Sequence, residues 1–364
     1  MTKKTIIGFD AKRIVKNGTG LGSYGRTLVN DLALQPLQLR LYAPDHGRDD
    51  LRRQIVDREN VSFCYPKSAP FGKAIWRSHG IVSDLKHDGV QLFHGLSGEL
   101  PIGISKSGIK SVVTIHDLIF LRHPEFYHWL DTKIYAWKFR QTIKEADHII
   151  AISECTKRDI IEFGHVDESR ISVIYQSCAP RFSSLQHKDG ERYILSVGSI
   201  EARKNILLAV KALAYLPKDL KLVIVGRHTA YTDIVLDYVK QHQLEHRVKV
   251  MHGVSDDELP QLYAGAEAFV YPSRYEGFGI PIIEAISSGL PVVACTGSCL
   301  EEAGGPDSLY VDPDDEQAMA HAISQVLKGA EGREERIRRN QEYIRRFEGN
   351  DVAGQVADLY QRLL

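Results

Sequence analysis

Short aliphatic and β-branched runs alternate along this chain with longer amphipathic stretches. The runs fall at 5–9 (TIIGF), 39–44, 90–95, 111–117, 148–153 and 171–176, and resume at 193–198, 220–226, 248–253, 268–273, 290–295 and 309–313. Such runs, separated by helix-length segments, predict parallel strands with crossover helices. They are apolar throughout rather than alternating, as expected of sheets covered on both faces. The polar interval 177–191 interrupts the rhythm. The expected organisation is therefore an α/β domain over 1–180, a second over 181–345 and a separate helix over 346–364. Helical spacing also marks 157–164, 206–216, 255–266 and 284–289, with Ser255 and Glu258 at capping-box spacing. The stretch 329–347 reads as a charged, solvated helix, whereas Val352, Val356, Leu359, Tyr360, Leu363 and Leu364 recur at helical spacing and must pack on something.

Length and charge narrow the picture. A chain of 364 residues suits two cores. Lys and Arg number 46 against 47 Asp and Glu, a formal charge of -1, so no global field would hold the protein on nucleic acid, which is not an expected partner. No apolar run reaches the ~18 residues a membrane span requires. The N-terminal MTKKTIIGFDAK is basic and then only briefly apolar, without a small-residue cleavage site, which points away from secretion and toward the cytoplasm. The five cysteines are odd in number and scattered, with no C-x-x-C pair, which disfavours a disulfide framework or zinc ribbon. His242 and His246 stand four apart but lack a third ligand, so no metal site is expected.

Candidate chemistry gathers at strand ends. In SVGSIEARKN (196–205) a strand ends at Gly198, and Arg203 and Lys204 fall in the expected first turn of a helix. Cations there oppose the helix dipole, so two of them imply an anionic ligand, most simply a diphosphate; the plain alternative is solvated surface charge. In PSRYEGFGIPIIEA (272–285), Glu276 and Glu284 flank a loop with Gly277, Gly279 and Pro281 that leads into a helix. Glycines let backbone N–H groups approach a ligand, and carboxylates suit sugar hydroxyls. TIHDLIF places His116 and Asp117 at another strand's end, and HGLSGELP (94–101) is a neighbouring strand-end loop. Gly20, Gly22 and Gly25 satisfy a dinucleotide pattern, but an NAD(P) fingerprint should follow its strand directly, and DAKRIVKNGT intervenes. No P-loop or G-x-S-x-G motif is present.

Together FVYPSRYEGFGIPIIEAISSGLPVVAC (269–295), VGSIEARKN (197–205) and ADHIIAISECTKRDII (146–161) resemble glycosyltransferase family 4, over most of the chain and in order. The resemblance implies the GT-B fold: two Rossmann-like domains whose parallel sheets face each other across a cleft. It implies retaining transfer of a sugar from a nucleotide diphosphate sugar, with no metal and no cofactor. By this carry-over Arg203 and Lys204 hold the diphosphate, Glu276 contacts the donor sugar and Glu284 the ribose. Gly20, Gly22, Ser199, Gly226, Ser273, Gly277, Phe278, Gly279 and Ile280 complete the donor side. His116 matches the catalytic cleft histidine, Tyr24, His94 and Asp117 face the acceptor, and the last helix crosses back to the N-terminal domain.

The G-x-G-x-Y loop with E-x-R-K-N resembles the bacterial mannosyltransferase branch. GDP-mannose is then the expected donor, with a UDP-hexose as alternative, and the acceptor is a glycan or lipid-linked glycan of envelope polysaccharide (lipopolysaccharide O-antigen or exopolysaccharide). Three positions depart from the family pattern: Ala202 and Glu301 where proline is usual, and Gly349 where tryptophan is common. Lost prolines bear on loop stiffness more than on chemistry. Rival readings are an NAD(P)-dependent oxidoreductase and a non-catalytic saccharide-binding relative. Lys73, Arg77 and His79 beside Phe71 and Trp76 offer a basic–aromatic edge for peripheral contact with the inner face of the cell membrane, against the alternative of an ordinary surface helix.

Overall fold

In the computed structural model, which describes residues 5–67, 72–183, 190–347 and 351–364, thirteen strands form two sheets. The first contains β1 (Thr5–Asp10), β2 (Leu37–Tyr42), β3 (Val61–Cys64), β4 (Leu92–Gly95), β5 (Lys110–Ile115), β6 (His148–Ala151) and β7 (Ile171–Val173). Its order is β3-β2-β1-β4-β5-β6-β7, parallel throughout. The second contains β8 (Tyr193–Val197), β9 (Lys221–Val225), β10 (Val248–Met251), β11 (Ala268–Tyr271), β12 (Val292–Cys295) and β13 (Leu309–Val311). It is also parallel, in the order β10-β9-β8-β11-β12-β13. The chain divides into two compact units, Met1–Gln176 with Asp351–Leu364, and Ser177–Asn350.

The apolar runs become the central strands: β11 and β12 are buried at every residue. The one strand the runs do not mark is β3, whose four residues are all half-buried at the sheet edge. There one flank has no strand neighbour, so the sequence need not be uniformly apolar. Both halves of the Ser255–Glu258 box form: the Ser255 hydroxyl accepts from the Glu258 amide at 3.2 Å, and the Glu258 carboxylate accepts from the Ser255 amide at 3.0 Å.

In the first unit one face of the sheet packs Ile7, Phe9, Leu39 and Leu41 against Leu28, Val29 and Leu32 of the Gly20–Leu32 helix. The Val352–Leu363 helix joins the same core through Val356, Leu359 and Tyr360. Each such large apolar side chain is worth about 1.5–3 kcal/mol when fully buried. Tyr360 also carries its hydroxyl into that core, where it lies 2.6 Å from His94 Nδ1, while His94 Nε2 lies 2.8 Å from Thr114 Oγ1.

That contact corrects the reading of His94 as an acceptor-side group. The ring is fully buried with both nitrogens occupied, and burial pushes its pKa down to about 3, so it is a neutral core residue. The basic–aromatic edge is corrected too. Trp76 is buried, its Nε1 donating to Asp84 at 2.7 Å, and Arg77 turns inward to pair with Asp10 and Glu99. Phe71 and Gly349 lie outside the described residues. Among the described residues no helix is long and apolar enough to cross a membrane.

Tyr360→Phe leaves His94 Nδ1 buried without its partner and should cost about 1–3 kcal/mol. All three tryptophans, Trp76, Trp129 and Trp137, belong to the first unit, so urea unfolding followed by tryptophan fluorescence measures the loss where it occurs. An unshifted midpoint would show that the contact adds nothing.

Candidate active site

In an open parallel sheet, ligands bind beyond the carboxyl ends of the strands, where the strand order reverses. In the second sheet that point lies between β8 and β11. The segment after β8 closes into a tight 3-10 turn, Ala202–Lys204, before the Ile206–Ala212 helix starts. Asn205 separates turn from helix in a left-handed conformation (φ 53°), and its Nδ2 donates to the Pro313 carbonyl at 2.7 Å. Arg203 and Lys204 therefore precede the helix rather than forming its first turn. Their side chains are turned into the site instead of lying along a helix face.

The segment after β11 supplies the counter-charge. Lys204 Nζ lies 2.5 Å from Glu276 Oε1 and donates to the Tyr271 hydroxyl at 2.7 Å. Arg203 Nη1 lies 3.0 Å from Glu276 Oε2 and donates to the Tyr275 carbonyl at 2.8 Å, while the Arg203 carbonyl accepts from the Arg274 amide at 3.0 Å. All three charged side chains are at least four-fifths buried. Burial alone would raise the Glu276 pKa, but the adjacent Lys204 and Arg203 outweigh it and hold the carboxyl below its usual range. Burial likewise works against the Lys204 ammonium, and Glu276 reverses it, so its pKa stands above the ordinary lysine value. Glu201 lies 3.9 Å from Arg203 Nη2 and 3.8 Å from the exposed Arg227 Nη2, so three cations share two carboxylates and the floor of the site is left positive.

Around this triad Gly198, Ser199, Lys204, Tyr271 and Ser273 line one small crevice. Gly226 is required by close approach: a Cβ there would stand 1.9 Å from the Gly198 carbonyl oxygen, and its amide already donates to Met251. Gly226 thus shapes the strand ends, with its amide unavailable to a donor. Next along the loop, half-buried Gly277 and buried Phe278 lead to Gly279, which takes φ 116° to open the Ile280–Ser287 helix. That helix begins with no side-chain cap and no acidic residue in its first turn. A helix N-terminus of this kind attracts anions. Glu284, further along it, accepts from the Tyr263 hydroxyl at 2.9 Å, and burial raises its pKa. The structure thus brings Arg203, Lys204, Glu276 and Ser273 together at the switch point, while Glu284 is anchored separately.

The remaining predicted residues belong to the first unit. His116 Nε2 lies 2.9 Å from the Leu96 carbonyl, which fixes the proton on Nε2 and leaves Nδ1 as acceptor, facing the Gln176 amide at 3.4 Å. Burial lowers its pKa to about 4, so the ring is neutral at pH 7. Tyr24 stacks edge-on against it, ring centroids 4.8 Å apart, and its hydroxyl lies 3.2 Å from Thr114 Oγ1, the atom that also meets His94. Thr114 thus links Tyr24 to the buried His94. Asp117 accepts from the Ile119 amide at 3.2 Å. Of the glycines, Gly20 has open space around it, but a Cβ on Gly22 would stand 1.8 Å from the Asn17 carbonyl, and the Gly22 amide is bonded to Thr19. Gly22 serves close packing of the Gly20–Leu32 helix on the preceding turn.

Sequence reasoning missed Tyr271, Tyr263 and Gln176, the partners of Lys204, Glu284 and His116. Tyr271 lay within the strand motif itself; nothing local distinguishes the other two. Among the described residues no group of three or more His, Cys, Asp or Glu could hold a metal ion.

A two-sheet parallel architecture with a charged switch-point site defines the GT-B class of glycosyltransferases. Two family models divide the chain: Glycosyltransferase Family 4 over residues 18–177 and Glycosyl transferases group 1 over 180–343. The chain is 32% identical to O-antigen chain mannosyltransferase RfbU of Salmonella typhimurium, over 68% of this chain and 69% of that one. It is 28% identical to O-antigen chain mannosyltransferase B of Escherichia coli, over 95% and 96%. Among solved structures it resembles a sucrose-phosphate synthase from Thermosynechococcus elongatus, with TM-score 0.79, 19% identity and 99% of each chain covered. The chain belongs to glycosyltransferase family 4.

Glu276→Gln strands two buried cations and should destabilise the second unit by roughly 3 kcal/mol or more at pH 7. Because the folded carboxyl titrates below its unfolded value of about 4.3, the wild-type advantage is complete above that pH and shrinks as pH falls through the folded pKa. Calorimetric melts stepped from pH 7 down to pH 3 check both the gap and its narrowing below about pH 4.3. For His116, NMR titration should show no protonation between pH 8 and 5; a midpoint near 6.5 would contradict the buried neutral ring.

Proposed function

We propose that this enzyme transfers mannose from GDP-mannose, with retention of configuration, to a lipid-linked glycan acceptor in envelope polysaccharide assembly. The observation that carries the reading is the buried triad of Arg203, Lys204 and Glu276 at the second sheet's switch point, beside the uncapped Ile280–Ser287 helix. The positive floor suits a diphosphate, and Glu276 suits the hydroxyls of the attached sugar. Donor and acceptor class follow the two O-antigen mannosyltransferases to which the chain is similar.

In this scheme the bond from the sugar's anomeric carbon to the diphosphate oxygen breaks as the acceptor hydroxyl adds on the same face. The hydroxyl proton passes to the departing phosphate oxygen. Arg203, Lys204 and the Gly279 and Ile280 amides at the start of the Ile280–Ser287 helix stabilise the charge that develops there, an effect worth several kcal/mol in a site that excludes water. The reaction runs without a metal or cofactor, as the family resemblance implies.

Lys204→Ala should abolish turnover of GDP-mannose while circular dichroism stays native; normal kcat in the folded variant would sink the role given to the lysine. A thermal-shift series with GDP-mannose, UDP-glucose and ADP-glucose tests the donor. At a hundredfold excess over Kd the preferred donor stabilises its folded state by about 2.7 kcal/mol. A larger shift with UDP-glucose would overturn the choice of guanine.

A further inference from the structure

The first sheet has a switch point of its own, between β1 and β4, and a cavity of about 490 Å³ opens there. Its floor is a charge network. Arg77 pairs with Asp10 at the end of β1 and with Glu99 beyond β4, and Lys138 lies 3.1 Å from the other Glu99 oxygen. Lys12, Lys16 and Lys73 add three more cations to the wall. Asp45 pairs with Lys16 at 2.7 Å and with Lys73 at 3.1 Å. Five cations thus meet three carboxylates, Asp10, Glu99 and Asp45, leaving an excess of two positive charges. Lys12 has no carboxylate within ion-pair distance among the described residues. Burial and the nearby Arg77 lower its pKa, and Glu99 and Asp10 oppose them only in part.

The opposite wall is apolar and open to solvent. Trp137 and Ile75 both line the cavity and are 52% and 51% exposed. Trp137 belongs to the Trp129–Glu145 helix, on which Leu130, Ile134 and Trp137 recur at i, i+4 and i+7 and are all exposed. This stripe extends about 10 Å outward from the cavity. Large apolar side chains left in water along one line mark a contact surface. A cationic cavity continuous with an apolar stripe matches one ligand chemistry, an anionic head on an apolar chain.

We propose that this cavity binds the phosphate or diphosphate of the lipid-linked acceptor, with the first segment of its apolar chain lying along Trp137, Ile134 and Leu130. The assignment rests on the transferase reading above and adds the residues that select the acceptor. Lys12 and Lys73 face the phosphate oxygens, and the Arg77 network sets the cavity floor. A free anion would satisfy the lysines alone; an uncharged lipid would satisfy the stripe alone.

The test uses the full chain with the donor site saturated by GDP. Geranyl diphosphate, inorganic pyrophosphate and geraniol are titrated separately, and Trp137 in the cavity wall reports by fluorescence. Geranyl diphosphate should give a saturable change with a Kd at least tenfold below that of pyrophosphate, and geraniol none. Lys12→Gln and Lys73→Gln should each raise that Kd fivefold or more; Lys73 is exposed, so its variant keeps the fold if Lys12→Gln does not. Ile134→Ser should weaken geranyl diphosphate and leave pyrophosphate unchanged.

Equal affinity for pyrophosphate and geranyl diphosphate, equal binding by both lysine variants, or no saturable change would overturn the proposal. Hydrolysis of GDP-mannose without acceptor is measured in parallel. Hydrolysis or saturable binding of GDP-mannose that persists while geranyl diphosphate fails to bind rejects the cavity assignment alone; an unsubstituted enzyme that neither binds nor hydrolyses GDP-mannose, UDP-glucose or ADP-glucose rejects the transferase reading itself.

Discussion

Parallel strands place all their carboxyl ends on one edge of a sheet, and a chain that fills first one side and then the other must leave a gap where it reverses. Both units are governed by that constraint. The reversal sets Asp10 beside Glu99 in the first sheet and Lys204 beside Glu276 in the second. Each gap is a place where loops descend toward the core, so charged side chains become buried there. The two units meet the desolvation cost in the same way, with a carboxylate shared between cations.

Such shared carboxylates hold the cations in place without neutralising them all. A lone buried lysine would lose its proton or swing into solvent. Lys204 does neither, because Glu276 and the Tyr271 hydroxyl fix it from two directions. Positive charge is thereby installed before any ligand arrives, and little reorganisation is needed when negative charge develops in the site. The arrangement favours a fixed electrostatic environment over maximal stability, since apolar residues of similar volume would often be at least as stable.

The positions of twelve of the thirteen strands and the loop carrying Glu276 were legible in the sequence, because uniform apolar runs and glycine spacing are local signals. Val61–Cys64 escaped because an edge strand has only half-buried residues to show. Arg203 and Lys204 were located correctly along the chain but assigned to the wrong turn, since a single left-handed Asn205 decides where the helix starts. His94 was misread for a different reason. Its burial depends on Tyr360, 266 residues away, and no local pattern encodes such a contact. The exposed stripe on the Trp129–Glu145 helix was equally silent, because a sequence shows that a helix has an apolar face but not whether anything covers it.

The pairing of His94 with Tyr360 has a consequence for the birth of the protein. The first unit takes its final helix from residues 351–364, synthesised after the entire second unit. The seven-stranded sheet therefore emerges with its Ile7–Phe9–Leu39 face lacking Val356, Leu359 and Tyr360. It must wait in that state while about 170 further residues are added, which at some 5–20 residues per second is a delay of order ten seconds or more. During that interval the uncovered apolar groove is open to association with other nascent chains, a hazard that ends only when the last fourteen residues are made.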